Sequence, residues 1–148
     1  DPSKYATQLA GEVSDFEATD FIDNRLIAQT DRSTYLDVSK IQWEPTKYPG
    51  VFIKPLYKDP SGKQTTLTKM EKGASLPKHR HVGLEQSYVL EGTLEDHEGV
   101  CGPGQFVWRP AGNRHEAVAP NGAVILGFFL KPNRFAYGEK FFTEEGQR

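Results

Sequence analysis

The stretch that most constrains the fold is residues 73–92, GASLPKHRHVGLEQSYVLEG, which places three possible metal ligands close together. Successive side chains of a β-strand point to opposite faces, so His79 and His81 project from the same face and can share one ion. Glu85 would lie roughly 13 Å past His81 along a straight strand. We expect Gly83 to take a positive φ in a tight bend that folds Glu85 back beside the histidines. The stretch therefore predicts two strands joined by a turn, together with a metal site.

A second stretch, residues 104–115, reads GQFVWRPAGNRH and supplies a further histidine. Residues 105–109 are typical of a short strand, and the PAG that follows is typical of the turn that ends one. Three imidazoles and one carboxylate suit a first-row transition metal, with positions left open for water, dioxygen or substrate. The predicted ligands of this ion are His79, His81, Glu85 and His115.

The two stretches resemble the two sequence motifs of the cupins. The first motif, Gly-x5-His-x-His-x3-Glu-x6-Gly, is filled at every position from Gly73 to Gly92. The second, Gly-x5-Pro-x-Gly-x2-His-x3-Asn, departs only at its end, where Ala119 stands in place of the asparagine. The resemblance implies an all-β fold, a single antiparallel, jelly-roll-like cupin β-barrel with the metal inside its mouth. It also implies a homodimer, because dimers are frequent among cupins.

Within the cupins, the run LPKHRHVGLEQSYVLEG resembles the same region in a group that contains two kinds of protein. These are the cupin lobe of ChrR-type anti-sigma factors and small dioxygenases that cleave diketones and hydroxyacetophenones. The resemblance implies a non-haem dioxygenase that uses Fe(II) to cleave a carbon–carbon bond in a small oxygenated or aromatic substrate. Zn, Mn or Ni are the other ions that the same ligands would accept.

Two other functions fit the same four ligands. One is a non-catalytic, zinc-binding cupin of the ChrR kind that senses a small molecule or a protein partner. The other is a metal-dependent lyase or isomerase, in which the ion acts as a Lewis acid. The ligand set alone does not separate these from a dioxygenase, because a fold resemblance specifies a site and not a reaction.

The rest of the chain predicts many short strands separated by turns, as in a β-sandwich or barrel. We expect residues 34–148 to form one cupin domain and the polar residues 1–33 to form an N-terminal arm or extension. Pro55 cannot donate to a strand ladder, so an edge or a bulge is expected there. The predicted strands are residues 35–38, 41–43, 51–58, 63–70, 105–109, 114–119 and 123–130, and residues 135–142 are a final strand or short helix.

Strand alternation also predicts the surroundings of the metal. Small or short side chains face inward and leave a cavity, namely Ser87, Val89, Ala117 and Ala119. Arg109 is a candidate for holding an anionic substrate at the mouth of that cavity, and a structural ion pair is the alternative. Four aromatic side chains are predicted to belong to the core, namely Trp43, Phe106, Trp108 and Phe128.

Composition limits the classes of partner. A net charge of −2 provides no general basic field for a nucleic-acid backbone. The longest apolar run, residues 123–130, is much shorter than the ~18 residues that cross a membrane. The single cysteine, Cys101, rules out an intramolecular disulfide and, with no signal-peptide pattern, favours a cytoplasmic protein. A small-molecule substrate is the expected partner.

Overall fold

Two antiparallel β-sheets form the part of the chain that the computed structural model describes, residues 31–135. The strands in chain order are β1 (Glu44–Pro45), β2 (Val51–Lys58), β3 (Gln64–Met70), β4 (Ala74–Arg80), β5 (Glu85–Gly92), β6 (Leu94–Glu95), β7 (Val100–Cys101), β8 (Phe106–Arg109), β9 (Arg114–Ala119), β10 (Ala123–Phe129) and β11 (Arg134–Phe135). One sheet has six strands in the order β1-β2-β3-β10-β5-β8, and the other has five in the order β11-β4-β9-β6-β7. The two sheets do not close into a continuous barrel within the described residues, but the predicted all-β, jelly-roll-like fold is confirmed.

The core lies between the inner faces of the two sheets. Strand alternation directs every second side chain inward, as in β3, whose residues alternate between buried and half-buried. Ile53 and Val89 have no exposed surface, and burying such a side chain stabilises the fold by about 1.5–3 kcal/mol. The four side chains predicted to face inward from β5 and β9 are all buried.

Most of the predicted strands are present. Those at 51–58 and 114–119 have the predicted bounds, and those at 63–70, 105–109 and 123–130 are each shorter by one residue at one end. The pairing of β2 with β3 shifts register between Pro55 and Tyr57, so the predicted bulge is confirmed.

The prediction of strands at 35–38 and 41–43 was wrong. The chain instead forms a short 3-10 helix, Val38–Lys40, and the two-residue strand β1. Lys54 explains part of this arrangement, because its Nζ donates a hydrogen bond to the Val38 carbonyl at 2.9 Å. That ammonium also lies 4.7 Å from the centre of the Trp43 ring. The Lys69 ammonium lies at the same distance from the Trp43 ring, so this segment is held by contacts with two lysines rather than by a strand ladder.

Three of the four aromatic residues predicted for the core are exposed, so that prediction was wrong for them. Phe106 is 51% exposed, Trp108 61% and Phe128 41%. Each alternates along its strand with a residue that faces inward, such as Arg109 or Phe129, so these rings point away from the core. Trp43 is half-buried.

The bend at Gly83 is present, but the predicted positive φ is not. A Cβ placed on Gly83 would lie 3.0 Å from Lys131 Cγ and 3.1 Å from the Lys131 backbone nitrogen. Glycine is therefore required at this bend because the chain passes close to it, and not because of a left-handed conformation.

Two predictions fall wholly or mainly outside the described residues. The predicted arm, residues 1–33, overlaps them only at residues 31–33. Residues 31–37 belong to a separate compact unit and contain no strand. Of the predicted final element, residues 135–142, only Phe135 lies within the described range, at the end of β11.

Candidate metal centre

Three buried histidines converge on one point between the two sheets. His79 on β4 and His115 on β9 are directly paired across the five-stranded sheet, and their ring centres lie 4.5 Å apart. His81 follows the end of β4, and its ring centre lies 5.0 Å from that of His79. The three side chains each offer one nitrogen, and these atoms all lie within 4.8 Å of one another. The predicted spacing of the histidines therefore brings all three imidazoles together.

The backbone around His81 explains why it stays in place after its strand ends. Its N–H donates to the Asn113 carbonyl at 2.8 Å, and its own carbonyl accepts from the Gly112 N–H at 2.7 Å. The turn predicted after β8 thus holds His81 beside His115. A register shift between Leu76 and His79 interrupts the β4–β9 ladder just before the first histidine.

An oxygen atom lies behind each imidazole and fixes its orientation. Nδ1 of His79 lies 2.9 Å from the Pro77 carbonyl oxygen, and Nδ1 of His115 lies 2.7 Å from Asp96 Oδ2. Nδ1 of His81 lies 2.7 Å from Glu85 Oε2. Because oxygen acceptors favour a proton on Nδ1, the Nε2 lone pairs of His79 and His115 are left to face the common centre, and Glu85 favours the same tautomer of His81 through its charge.

The Nε2 atoms of His81 and His115 are only 2.9 Å apart. With Nδ1 protonated on both rings, two lone pairs would face each other at this distance, and a shared cation relieves that repulsion. Neutral imidazoles held by hydrogen bonds on their far side are the usual ligand arrangement for a transition metal. The residues present therefore fit a divalent transition metal.

Glu85 lies beside His81 rather than within the group of three nitrogens. Its Oε2 contacts His81 Nδ1 at 2.7 Å but lies off the line of a hydrogen bond, so the contact is mainly electrostatic. Its other oxygen accepts from the Ser87 hydroxyl at 3.2 Å. In this position Glu85 orients His81 and supplies negative charge, and its predicted role as a fourth ligand stays a prediction.

Asp96 is a part of the site that the sequence analysis missed. Its side chain is 3% exposed and contacts both His115 and Arg109, whose Nη1 lies 2.8 Å from Asp96 Oδ2. Asp96 follows β6 in an acidic turn, and nothing in its local sequence separates it from solvent-facing neighbours such as Glu98. Only the pairing of β6 with β9 brings its carboxylate behind His115.

Arg109 is positioned by this ion pair. It is 8% exposed and also lies 3.7 Å from Glu98, so the structural ion pair considered as the alternative is present. Arg109 also lines the cavity beside the histidines. Its role in binding a substrate stays a prediction.

Burial and neighbouring charges set the protonation of the site. Burial lowers the pKa of His79 to about 4, and the nearby rings of His115 and His81 add to the effect. The pKa of His115 is also lowered, by burial and by the charge of Arg109, against the opposing effect of Asp96. Burial alone would raise the pKa of Glu85, but its contact with His81 outweighs that effect and the pKa is lowered. His79 and His115 are therefore neutral and Glu85 ionised at neutral pH, as metal binding requires.

A small cavity of about 40 Å³ adjoins the three histidines. Most of its lining is apolar, including Met70, Leu76, Ile125 and Phe129. Since one water needs roughly 10–15 Å³ measured in this way, the space suits a few waters or a small organic molecule. The arrangement can therefore hold a metal at the edge of a small, largely apolar space.

Comparison with known proteins identifies related sequences and folds. Residues 31–133 match the family described as the ChrR cupin-like domain. A candidate acetylacetone dioxygenase from Methylibium petroleiphilum has a TM-score of 0.67 and 21% identity, over 74% of this chain and 86% of that one. An acetylacetone dioxygenase from Acinetobacter johnsonii has a TM-score of 0.63 and 17% identity, over 75% of this chain and 83% of that one.

A further similar structure is the complex of Rhodobacter sphaeroides SigE with the anti-sigma ChrR. Its matching chain has a TM-score of 0.55 and 24% identity, over 63% of this chain and 50% of that one. At these identities the structural likeness establishes the fold.

Among curated proteins, a candidate polyketide β-ketoacyl synthase 2 from Streptomyces virginiae is 46% identical over 43 residues. These residues are 29% of this chain and 11% of that protein, so the chain spans about a tenth of the length of the curated relatives it matches. Within residues 31–135, no helix is long and apolar enough to cross a membrane.

Proposed function

Because the chain belongs to the family of ChrR cupin-like domains, we propose that it is a mononuclear metal-dependent enzyme. His79, His81 and His115 would hold one divalent transition metal, and Glu85 would balance its charge as a fourth ligand or from beside His81. The observation that carries the proposal is the convergence of three histidine ring nitrogens, each ring having an oxygen on its far side.

The reaction that we propose is dioxygenation with cleavage of a carbon–carbon bond, with Fe(II) as the ion. When bound, Fe(II) would supply Lewis acidity and the capacity to activate dioxygen. The chain itself supplies a fixed ligand set, a buried carboxylate that offsets positive charge, and an apolar cavity that excludes bulk water. Two structural neighbours that are named for acetylacetone dioxygenation support this choice.

The substrate class that we propose is a small 1,3-dicarbonyl or hydroxyaryl ketone. Acetylacetone, named in two structural neighbours, is a 1,3-diketone, and the polyketides named in the curated relatives are built from the same unit. The cavity of about 40 Å³ favours small members of the class. Arg109 at its edge would favour a substrate that carries a partial or full negative charge, as an enolate does.

The alternative is a non-catalytic, zinc-binding cupin that senses a small molecule or a protein partner. The likeness to the chain from the SigE–ChrR complex supports it. A metal-dependent lyase or isomerase would use the same ligands. We also propose, from the resemblance to cupins, that the protein is a homodimer and cytoplasmic.

Metal analysis followed by oxygen uptake separates these functions. Protein purified without chelator is expected to contain one transition metal per chain, and the Fe(II)-loaded form is expected to consume oxygen with acetylacetone or a 2-hydroxyacetophenone. The His115→Ala variant should lose both properties. His97→Ala, which removes an exposed histidine, should keep both. Tight zinc with oxygen uptake at the buffer rate across a panel of diketones would favour the sensor.

A further inference from the structure

Asn133 is a buried polar side chain beside the metal centre that has no role in the site described so far. It precedes β11, in which Arg134 pairs with Arg80 of β4. Continuing this antiparallel register by one residue places Asn133 opposite His81. Asn133 is 3% exposed and His81 is fully buried, and Asn133 lines the same cavity as His79 and Glu85.

The side-chain oxygen of Asn133 is buried and has no hydrogen-bond partner among the described residues. Buried acceptors are nearly always paired, because leaving one without a donor is unfavourable. An unpaired amide oxygen in a cavity wall therefore favours a donor that is not among the described residues, such as a ligand bound in the cavity. Asn133 lines the cavity beside the three histidines.

Several other polar groups of this cavity have partners. Ser87 donates to Glu85, Glu85 contacts His81, and Arg109 pairs with Asp96. Two buried acceptors among these lining residues lack an aligned donor, Glu85 Oε2 beside His81 and the Asn133 side-chain oxygen, and most of the exposed wall is apolar, so each acceptor has a strong effect on which ligand fits. An apolar ligand would leave the amide oxygen buried and unpaired, whereas a ligand with an O–H or N–H group would satisfy it.

We propose that Asn133 is a ligand-positioning residue, whose side-chain oxygen accepts a hydrogen bond from an O–H or N–H group of a small neutral or chelating molecule bound beside the three histidines. This inference rests on the proposed metal site and adds a ligand preference to it. Ligands with a hydrogen-bond donor adjacent to their metal-binding atoms are preferred over ligands of the same kind without one.

The test uses Co(II)-loaded protein and two chelating probes. Acetohydroxamate and N-methylacetohydroxamate offer a metal the same two oxygen atoms, but only the first has an N–H group. Binding is followed by the visible absorption of Co(II), and the ratio of the two dissociation constants is compared with the ratio for free Co(II) in solution. In the wild-type chain the N–H probe is expected to be favoured by an additional factor of about three to ten, the effect of one neutral hydrogen bond.

Three substitutions of Asn133 test whether its side chain causes the preference for the N–H probe. Asn133→Leu removes the acceptor at similar volume and should abolish the additional preference. Asn133→Ala serves the same purpose if the leucine variant does not fold. Asn133→Asp keeps an acceptor and should retain the preference. Thr93→Val is the matched control, because it removes another buried and unpaired polar atom that lies outside the cavity.

The outcomes separate this inference from the metal site itself. Absence of Co(II) binding to the wild-type chain would overturn both. Normal Co(II) binding with no additional preference for the N–H probe, or with a preference that survives in Asn133→Leu, would overturn the role of Asn133 alone. Because leucine and asparagine have similar volumes, the steric effect of the added methyl group is similar in wild type and Asn133→Leu, and the comparison with Asn133→Asp controls for it.

Discussion

The buried carboxylate of Asp96 contacts both His115 and Arg109. Its Oδ2 accepts a hydrogen bond from His115 Nδ1 at 2.7 Å and contacts Arg109 Nη1 at 2.8 Å. Burial alone would raise the pKa of Asp96, but the hydrogen bond from His115 and the charge of Arg109 outweigh that effect, and its pKa is lowered. The carboxylate is therefore ionised at neutral pH, which makes the imidazole of His115 a better donor of electrons to a metal.

Asp96→Asn is expected to weaken metal affinity by about 10- to 100-fold, because an uncharged amide supports His115 less well and leaves Arg109 without its closest partner. Competition with a chromophoric chelator measures the affinity. Glu98→Gln is the matched control, because Glu98 is an exposed carboxylate on the same turn and lies 3.7 Å from Arg109. Equal affinities in the two variants would show that Asp96 does not support the site.

Acid should destabilise the metal-free fold through His79. Its pKa is about 4 in the folded chain against an ordinary 6.5, so the unfolded chain binds more protons between these two values. Stability is therefore expected to be constant above pH 6.5 and to fall by about 3 kcal/mol as the pH drops from 6.5 to 4. The lowered pKa values of Glu85 and Asp96 act in the same direction at still lower pH.

Urea unfolding of the metal-free protein at several pH values measures this effect. His79→Gln removes one of two buried rings with a lowered pKa and should reduce the slope between pH 4 and 6.5, leaving the part that His115 contributes, and His97→Gln is the matched control. In the metal-loaded protein the same protons compete with the ion, so we expect the metal to dissociate on acidification. Retention of one metal per chain well below pH 4 would contradict that expectation.

The three histidines could be predicted from the sequence because strand geometry alone brings His79 and His81 to one face. His115 was predicted only in combination with the other three ligands, because a single histidine after such a turn is commonly a surface residue. Asp96 could not be predicted, since it lies 19 residues from His115 along the chain and reaches it only through the pairing of β6 with β9. The unpaired oxygen of Asn133 likewise depends on the register of β4 and β11. Ligands within a motif follow from local spacing, whereas the groups that orient them depend on tertiary contacts.

The bend between β4 and β5 is held against the segment that follows β10. The Leu130 N–H donates to the Leu84 carbonyl at 3.0 Å, and Gly83 lies against Lys131. Since Glu85 begins β5 directly after this bend, the bend determines how close Glu85 comes to His81. The close approach of Lys131 is therefore part of the support of the metal centre.

Gly83→Ala is expected to destabilise the fold by about 1–3 kcal/mol, because its Cβ would press on Lys131 at 3.0–3.1 Å and force the two segments apart. It should also weaken metal binding if Glu85 is displaced from His81. Gly99→Ala is the matched control, because a Cβ at Gly99 would have no neighbour within 4 Å. Thermal unfolding and metal titration of both variants provide the measurement, and equal stability of the two would disprove the role of the close approach.

The sequence predicted elements well where turns and alternation agree, as in β2, β3 and β9. It failed at residues 35–43, where Val38 and Trp43 are contacted by lysine side chains instead of by a neighbouring strand. It also failed for the aromatic residues of β8, because hydrophobicity does not reveal which face of a strand is covered. In β8 the side chains of Val107 and Arg109 point inward, so Phe106 and Trp108 point outward. Which of the two sets points inward depends on how the whole sheet packs.

The outer face of the six-stranded sheet carries an apolar patch. The pairing of β5 with β8 sets Tyr88 beside Phe106, and the pairing of β10 with β5 sets Phe128 beside Gln86, whose partner on β8 is Trp108. The four aromatic side chains are 41–61% exposed. Since one aromatic side chain buries 150–250 Å², their exposed parts amount to roughly 400 Å². A patch of that size commonly marks an interaction surface.

A homodimer would account for this patch. A standard interface buries about 800 Å² on each partner, with an apolar centre that holds the aromatic residues and a polar rim. The aromatic patch supplies about half of that area, and the flanking Gln86 and Thr65 supply polar groups. A twofold axis through the patch would bring the same residues together from both chains.

Trp108→Lys is therefore expected to shift the protein from dimer to monomer, because it places a charge at the most exposed ring of the patch. Sedimentation velocity at micromolar concentration measures the change. Val100→Lys is the matched control, since Val100 is 62% exposed but belongs to the other sheet, and it should remain dimeric. Metal content should be unchanged in both variants, because neither residue lines the cavity beside the three histidines. A monomeric wild-type protein, or a dimer that persists in Trp108→Lys, would show that the patch is not the dimer interface.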